Sequence, residues 1–277
     1  MQHAVTDVPG VAPSYAGELA FSLEVAGRAG QVLMDHYERL EQIDYKSARD
    51  VVTEADHRSE ALILAAIRAR YPNDAILAEE TGEHRAVAGE APTSGRGRVW
   101  IVDPLDGTVN YANGIPVFCV SIALVIDGSP AVGVILDPTR DESFAATATG
   151  PATLNGHPIH DSDKDKLSDF VISMALNGRT AVSRSRNVRK AIRIPRSMGS
   201  AALALAYVAN GRFDAFVQQG GLSAWDIAAA GLIAERGGAT VTAMDGGPWF
   251  DLAHAPKSIG IVAAPAAHHE ALLALVR

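Results

Sequence analysis

The chain has 277 residues, 48% of them hydrophobic and 20% charged, a balance that suits a folded globular protein and not a disordered one. Its 24 Lys and Arg against 32 Asp and Glu give a formal charge of −8, which excludes a global attraction to nucleic acid or anionic membrane and leaves anionic partners to local patches or metal ions. The single cysteine, Cys119, excludes an intramolecular disulfide and a cysteine-based zinc site, and no apolar run approaches the roughly 20 residues of a membrane span.

The opening MQHAVTDVPG has neither the basic start nor the apolar stretch of a signal peptide, so a cytoplasmic protein is expected. Leu19, Leu23, Ala26, Gly30, Leu33, Tyr37 and Leu40 step by alternating fours and threes, which predicts a long first helix with one apolar stripe. After a loop containing Lys46, TEADHRSEALILAAIRARYP reads as a second helix, capped by Thr53 and ended near Pro72. Short apolar runs at 75–78, 99–102, 119–126, 131–136 and 143–147 read as strands, the third of them burying Cys119, with hairpin signals at Asp127-Gly128 and Asn155-Gly156.

A polar stretch, HDSDKDKLSD, marks a soft boundary near residue 160, so units of 1–158 and 159–277 are expected within one compact body. FVISMA then resumes the strand signal. GSAALALAYVANGR and WDIAAAGLIAERGG read as helices ended by glycine, each followed by a strand, FDAFV and ATVTA, and PAAHHEALLALV as a terminal helix with His268 and His269 in solvent. Trp100, Trp225 and Trp249 read as packing residues. There is no internal repeat.

Chemistry concentrates in WIVDPLDGTVNY, residues 100–111. Asp103 follows an apolar strand and Asp106 lies three residues further on, with no Lys or Arg between Arg98 and Arg140. A carboxylate leaving an apolar strand is costly without a cation, and a hard ion such as Mg²⁺, which takes oxygen ligands, is the simplest remedy. Gly107 and Thr108 supply the complementary half, since backbone amides at such a turn favour a phosphate. The alternative is that both acids cap a turn. Asp56 at a helix start, Glu79 and Glu80 after a strand, and Asp226 after Trp225 are unremarkable singly, yet they form an ordered series.

That series, DVVTEAD, ILAEE, WIVDPLDGTVNYANGIPVFCVSIAL, RSMGSAALALAYVANGRFDAF and WDIAAAGLIAERGG, resembles the inositol monophosphatase family of Mg²⁺-dependent, lithium-sensitive sugar phosphatases, over most of residues 15–265. The resemblance implies an α/β layered fold, an alternating α-β-α-β-α sandwich, with a largely antiparallel sheet in the first half and a smaller mixed one in the second. It implies two or three Mg²⁺ ions. Glu79, Asp103 and the Leu105 carbonyl would hold one, and Asp103, Asp106 and Asp226 a second, with Asp103 bridging. Glu79 and Thr108 would orient the attacking water, with Asp56 fixing Thr108. Substrate contacts would come from Asp106, Gly107, Thr108, Gly199, Ser200, Ala201, Gln218, Gln219 and Lys46. The implied chemistry is in-line attack of a metal-activated water on phosphorus without a covalent intermediate, and the family commonly forms homodimers.

Two departures bear on substrate. Members that prefer inositol phosphates carry a glutamate before the WD block, where this chain has Gln218 and Gln219; an amide still bonds a hydroxyl but brings no charge. Residues 170–213 hold no Asp or Glu but carry Arg179, Arg184, Arg186, Arg189, Lys190, Arg193, Arg196 and Arg212. This run is either a solvated helix face or a seat for a second phosphate. Asn110-Tyr111 and GIPVFCVSIAL resemble the inositol branch. The order of expectation is therefore inositol monophosphate, then fructose 1,6-bisphosphate, then 3′-phosphoadenosine 5′-phosphate. A reading of another class is a metal-dependent regulatory binding protein without turnover. No nucleic acid or membrane partner is expected.

Overall fold

The computed structural model describes residues 14–37, 43–47, 50–85, 97–176, 181–252 and 259–277. In chain order its elements are α1 (Ala16–His36), β1 (Ile43–Ser47), β2 (Asp50–Thr53), α2 (Glu54–Arg70), β3 (Ala75–Ala78), β4 (Gly82–His84), β5 (Arg98–Asp106), α3 (Thr108–Ala112), β6 (Cys119–Ile126), β7 (Ser129–Asp137), β8 (Glu142–Thr147), β9 (Thr153–Leu154), β10 (His157–Pro158), β11 (Val171–Ala175), α4 (Ala181–Ala191), β12 (Ile194–Arg196), α5 (Ala201–Ala206), β13 (Ala215–Leu222), α6 (Ala224–Arg236), β14 (Ala239–Ala243), β15 (Ile259–Pro265) and α7 (Ala266–Val276). None of the described helices is long and apolar enough to cross a membrane.

Eight strands form one sheet in the order β10-β9-β8-β7-β6-β5-β3-β4, antiparallel except where β3 runs parallel to β5. Five form a second, mixed sheet, β12-β11-β13-β15-β14. Strand alternation decides what each face meets. Trp100, Val102, Ile122, Leu124 and Val134 pack under α1 and α2, against Val25, Ala29, Leu33, Ile63 and Ile67. Their neighbours Val99, Ile101, Ala123 and Ile135 face the other way, onto α5, α6 and the inner face of the second sheet. The outer face of that sheet, with Ile172, Val217 and Val262, is covered by Val188 and Ile192 of the α4 segment and by Leu272 and Val276 of α7. The result is five layers, α-β-α-β-α, as the resemblance implied. Each fully buried aliphatic side chain contributes about 1.5–3 kcal/mol of apolar transfer.

Several local readings change. Lys46 lies in β1, paired antiparallel with β2, instead of in a loop; Leu40 and Arg179 fall outside the described residues. Within residues 199–212 only Ala201–Ala206 is helical, because the chain then turns through Asn210 into Gly211, whose φ is +69°. His269 is buried instead of solvated, since the face of α7 that carries Leu272 and Val276 also presses it against β14, where it meets Thr242 Oγ1 at 3.1 Å. Burial holds its imidazole below the usual pKa. His268 is half-buried, 3.0 Å from the Lys164 carbonyl and edge-on to Phe170. Cys119, Trp100 and Trp249 are buried, and Trp225 is half-buried against the core.

Candidate metal and substrate site

The two acids of DPLD stand in a strand and not in a turn. Along β5, Asp103 pairs with Ser121 and Asp106 with Cys119, so three steps on β5 match two on β6. This β-bulge carries Pro104, which has no amide to lose from the ladder. It also resolves a parity problem. Residues 103 and 106 would point to opposite faces of a regular strand, but the extra residue turns Val102 and Leu105 into the α1/α2 core and leaves both carboxylates on the α5/α6 side. Asp103 Oδ1 accepts from Leu105 N–H at 3.0 Å, and α2 clamps the bulge through Ser59 Oγ donating to the Pro104 carbonyl at 3.1 Å.

Asp226 arrives from the second half of the chain. It is the third residue of α6, where its Oδ2 accepts from the Ser223 N–H at 2.6 Å in a capping box. Ser121 Oγ donates to the Trp225 carbonyl at 3.0 Å and ties this helix start to β6. Carboxylate oxygens of Asp103, Asp106 and Asp226 consequently all lie within 4.8 Å of one another. Asp106 is oriented by groups the sequence reading assigned to substrate or left aside: its Oδ2 accepts from Ser200 Oγ at 2.6 Å and Ala202 N–H at 2.7 Å, with Cys119 Sγ at 3.8 Å. The signal for Ser200 was present as the N-cap serine before AALALA.

Thr108 opens the short α3 behind Gly107, whose φ of +97° and whose approach to the Val117 carbonyl exclude a side chain. Its hydroxyl lies 3.2 Å from Asp56 Oδ1 and 3.0 Å from the Leu105 carbonyl. Asp56 also caps α2: its Oδ2 accepts from the Thr53 N–H at 2.8 Å and hydroxyl at 2.6 Å. Glu79 follows β3, its N–H donating to the Val102 carbonyl at 3.1 Å, and its carboxyl hydrogen-bonds Asp103. Asn110 is buried and donates to the Val117 and Met198 carbonyls at 2.7 and 2.8 Å, joining α3 to the 197–199 segment.

Crowded, desolvated like charges raise these acids. Burial first, then Glu79, Asp106 and Asp226, pushes Asp103 well above the usual carboxylate range; burial followed by Asp106 does the same to Asp226. Asp106 is raised by burial against the pull of the Ser200 and Ala202 hydrogen bonds, and burial lifts Asp56 to about 6. The donor set fits a hard divalent cation: carboxylates only, converging, with no Lys or Arg among the described residues lining the adjoining cavity.

A pH signature follows. Each raised acid binds its proton more tightly in the folded than in the unfolded chain, so metal-free stability falls as pH rises above the unfolded value, for Asp56 from 3.8 to about 6. Without metal the protein is expected to melt at a higher temperature near pH ~5 than near pH ~8, and excess Mg²⁺ should remove the difference. Calorimetric melts at the two pH values check it; a metal-free melting temperature that climbs toward pH 8 would contradict this reading of the cluster.

A cavity of about 290 Å³ opens beside Asp106 and Asp226. Ser173, Ser197, Gln218 and the Gly199–Ala201 backbone give it polar points, and Met174, Met198, Phe216 and Leu222 give it apolar walls. The two glutamines part here: Gln218 lines the cavity, whereas Gln219 does not and buries its Oε1 without a hydrogen-bond partner among the described residues. Gly107, Thr108, Glu79 and Asp103 do not line this cavity. The described part of the basic run, from Arg184 onward, does not line the cavity. Arg184, Arg186, Arg189 and Lys190 lie on α4, Arg193 pairs with Asp169 at 2.9 Å, Arg196 bonds the Pro195 carbonyl, and Arg212 pairs with Glu142 over the Tyr207 ring.

A model of the inositol monophosphatase family matches residues 17–277. The chain is 40% identical over 234 residues to the inositol-1-monophosphatase of Mesorhizobium japonicum, covering 81% of this chain and 85% of that one. It is 36% identical over 253 residues to the Nus factor SuhB of Pseudomonas aeruginosa, covering 84% and 87%. Among solved structures, the extragenic suppressor protein suhB of Bartonella henselae superposes with a TM-score of 0.86 at 32% identity, over 95% of this chain and 99% of that one. An IMPase of Thermotoga maritima superposes with a TM-score of 0.83 at 31% identity, over 94% and 96%.

Proposed function

Since the chain belongs to the inositol monophosphatase family, we propose that it is a Mg²⁺-dependent phosphomonoester hydrolase that converts inositol 1-phosphate to inositol and phosphate. The observation that carries the reading is the convergence of Asp103, Asp106 and Asp226 beside a cavity with polar points and no described cation. Asp103, Asp106 and Asp226, with Glu79 and the Leu105 carbonyl, would hold Mg²⁺, which when bound supplies Lewis acidity and lowers the pKa of water.

The chain's own groups do the positioning. Thr108, held by Asp56 and the Leu105 carbonyl, orients the attacking water together with Glu79. The water's proton passes through the Thr108 hydroxyl to Asp56, whose carboxyl at about 6 suits a base working near neutrality. The new P–O bond forms as the bond to the alcohol oxygen breaks; the leaving oxygen takes a proton from solvent and departs toward the cavity as the alcohol, and Asp56 returns its proton to solvent. Backbone amides at Gly107 and Thr108 bind the phosphate oxygens.

The cavity also ranks substrates. A polyol finds hydroxyl and amide partners at Ser173, Ser197 and Gln218, whereas a second phosphate entering there would lose water without meeting a described Lys or Arg. This supports a monophosphate over fructose 1,6-bisphosphate and 3′-phosphoadenosine 5′-phosphate. From the family resemblance the reading also includes lithium inhibition, a homodimer and a cytoplasmic setting.

The test is phosphate release from inositol 1-phosphate and the two bisphosphates at equal concentration, in Mg²⁺ and in EDTA. Release that needs Mg²⁺ and is greatest for inositol 1-phosphate is expected. Faster release from either bisphosphate would overturn the substrate ranking. Melting stabilised by Mg²⁺ with no release from any substrate would favour the reading as a metal-dependent binding protein.

A further inference from the structure

We propose that Glu60 is a positioning residue for the metal site, acting through the backbone that carries Glu79; the inference rests on the metal reading above. Glu60 lies on α2, one turn beyond Asp56, and is only 1% exposed. Its Oε2 accepts from the Glu80 N–H at 2.9 Å across 20 residues of sequence. Its Oε1 is buried and meets no donor among the described residues. A buried carboxylate with half its acceptor capacity unused is a poor device for stability, and an apolar side chain at this place in the α2 interface would cost the fold less.

What the single hydrogen bond does accomplish is geometric. The Glu79 N–H is anchored to the Val102 carbonyl at 3.1 Å and the Glu80 N–H to Glu60 at 2.9 Å. Fixing the amides on both sides of the Glu79 Cα fixes its backbone rotation and so the direction in which its side chain leaves the chain. That direction brings the Glu79 carboxyl onto Asp103. The strand-end sequence ILAEE cannot do this alone, because the turn from Glu79 to Thr81 leads only into the short strand β4. Helix α2 therefore orients two parts of the site from one face: Asp56 holds Thr108, and Glu60 holds the turn behind Glu79.

The role depends on reach and not on charge, and two conservative variants separate them. Glu60→Asp keeps the charge but withdraws the acceptor by one methylene; Glu60→Gln keeps an acceptor at the same reach and loses the charge. With Mg²⁺ alone as the probe, half-saturation is read from the melting shift, and again from phosphate release. Glu60→Asp is expected to raise half-saturation by roughly 10- to 100-fold, the usual cost of losing a group that orients a metal ligand, while kcat at saturating Mg²⁺ returns to within a few-fold of the parent. Glu60→Gln should stay within about threefold of the parent.

An unchanged half-saturation in Glu60→Asp overturns the proposal, and so does an equal weakening in both variants, which would assign the effect to charge. A parent protein whose melting ignores Mg²⁺ overturns the metal reading and this proposal with it, a result distinct from a responsive parent with an unaffected Asp variant.

Discussion

Replacing Asp103 with asparagine is expected to lower Mg²⁺-dependent phosphate release by about 10³-fold or more while making the metal-free protein more stable. The two effects have one cause. Asp103 is 1% exposed and shares its surroundings with Glu79, Asp106 and Asp226, so its ionised form is held there against burial and three like charges. Asparagine keeps the Oδ1 that accepts from Leu105 N–H, so the bulge has its hydrogen bond, and removes the charge. Relief on the order of 1 kcal/mol would raise the metal-free melting temperature by about 2–4 °C. With Mg²⁺ the ranking should invert: the parent gains about 2.7 kcal/mol at a hundredfold excess over Kd and the variant gains little. Lost transition-state stabilisation of about 4 kcal/mol corresponds to the activity loss. Melting curves of both proteins with Mg²⁺ and with EDTA, beside phosphate release, check the prediction. A variant less stable than the parent in EDTA would show that Asp103 supports the fold and is not held in it at a cost.

Gly133→Ala is expected to destabilise the protein by about 3 kcal/mol, lowering the melting temperature by about 6–10 °C, although it adds a single methyl to a strand. Gly133 lies in β7 between β6 and β8, where a Cβ would stand 2.7 Å from the Ala229 carbonyl oxygen and 2.9 Å from its Cα. Both atoms are backbone of α6, which cannot swing aside as a long side chain would. The helix must lift, and it carries Asp226 in its first turn, so weaker Mg²⁺ binding should accompany the lower melting temperature. Gly27→Ala on α1 is the control: nothing lies within 4 Å of its Cβ, and the change should be neutral or stabilising by up to about 1 kcal/mol. Thermal melts of the two variants test the pair. Equal effects at 133 and 27 would show that the α6 contact is not what limits side-chain size in β7.

Much of the architecture was legible because hydrophobic period reports directly on burial. The short apolar runs VWIV and CVSIALVI marked strands, whose two faces both prove buried, and the fours and threes of the first helix marked its covered stripe. Asp103 and Asp106 were legible as chemistry for a related reason: carboxylates leaving an apolar strand need a partner, and no Lys or Arg stands between Arg98 and Arg140. Where period was weak the reading failed. GSAALALAYVANGR is almost uniformly apolar, so its pattern could not show that the helix stops at Ala206, and His269 was read as solvated because no carboxylate but Glu270 stands near it at metal-ligand spacing, a test that says nothing of burial.

Sequence alone thus determined the family resemblance, the layer order it implied and the choice of candidate acids, because these rest on residue type and spacing along the chain. Only the tertiary structure decided how the acids meet. The bulge at Pro104 turns Asp103 and Asp106 to one side, α6 brings Asp226 from more than a hundred residues away, and Ser200 and Glu60 grip Asp106 and the turn behind Glu79 across 94 and 20 residues. It also separated Gln218 from Gln219 and kept the described part of the basic run out of the cavity. Those outcomes depend on strand register and helix approach, in which a one-residue shift reverses a side chain's direction, and no property of the residue itself encodes that.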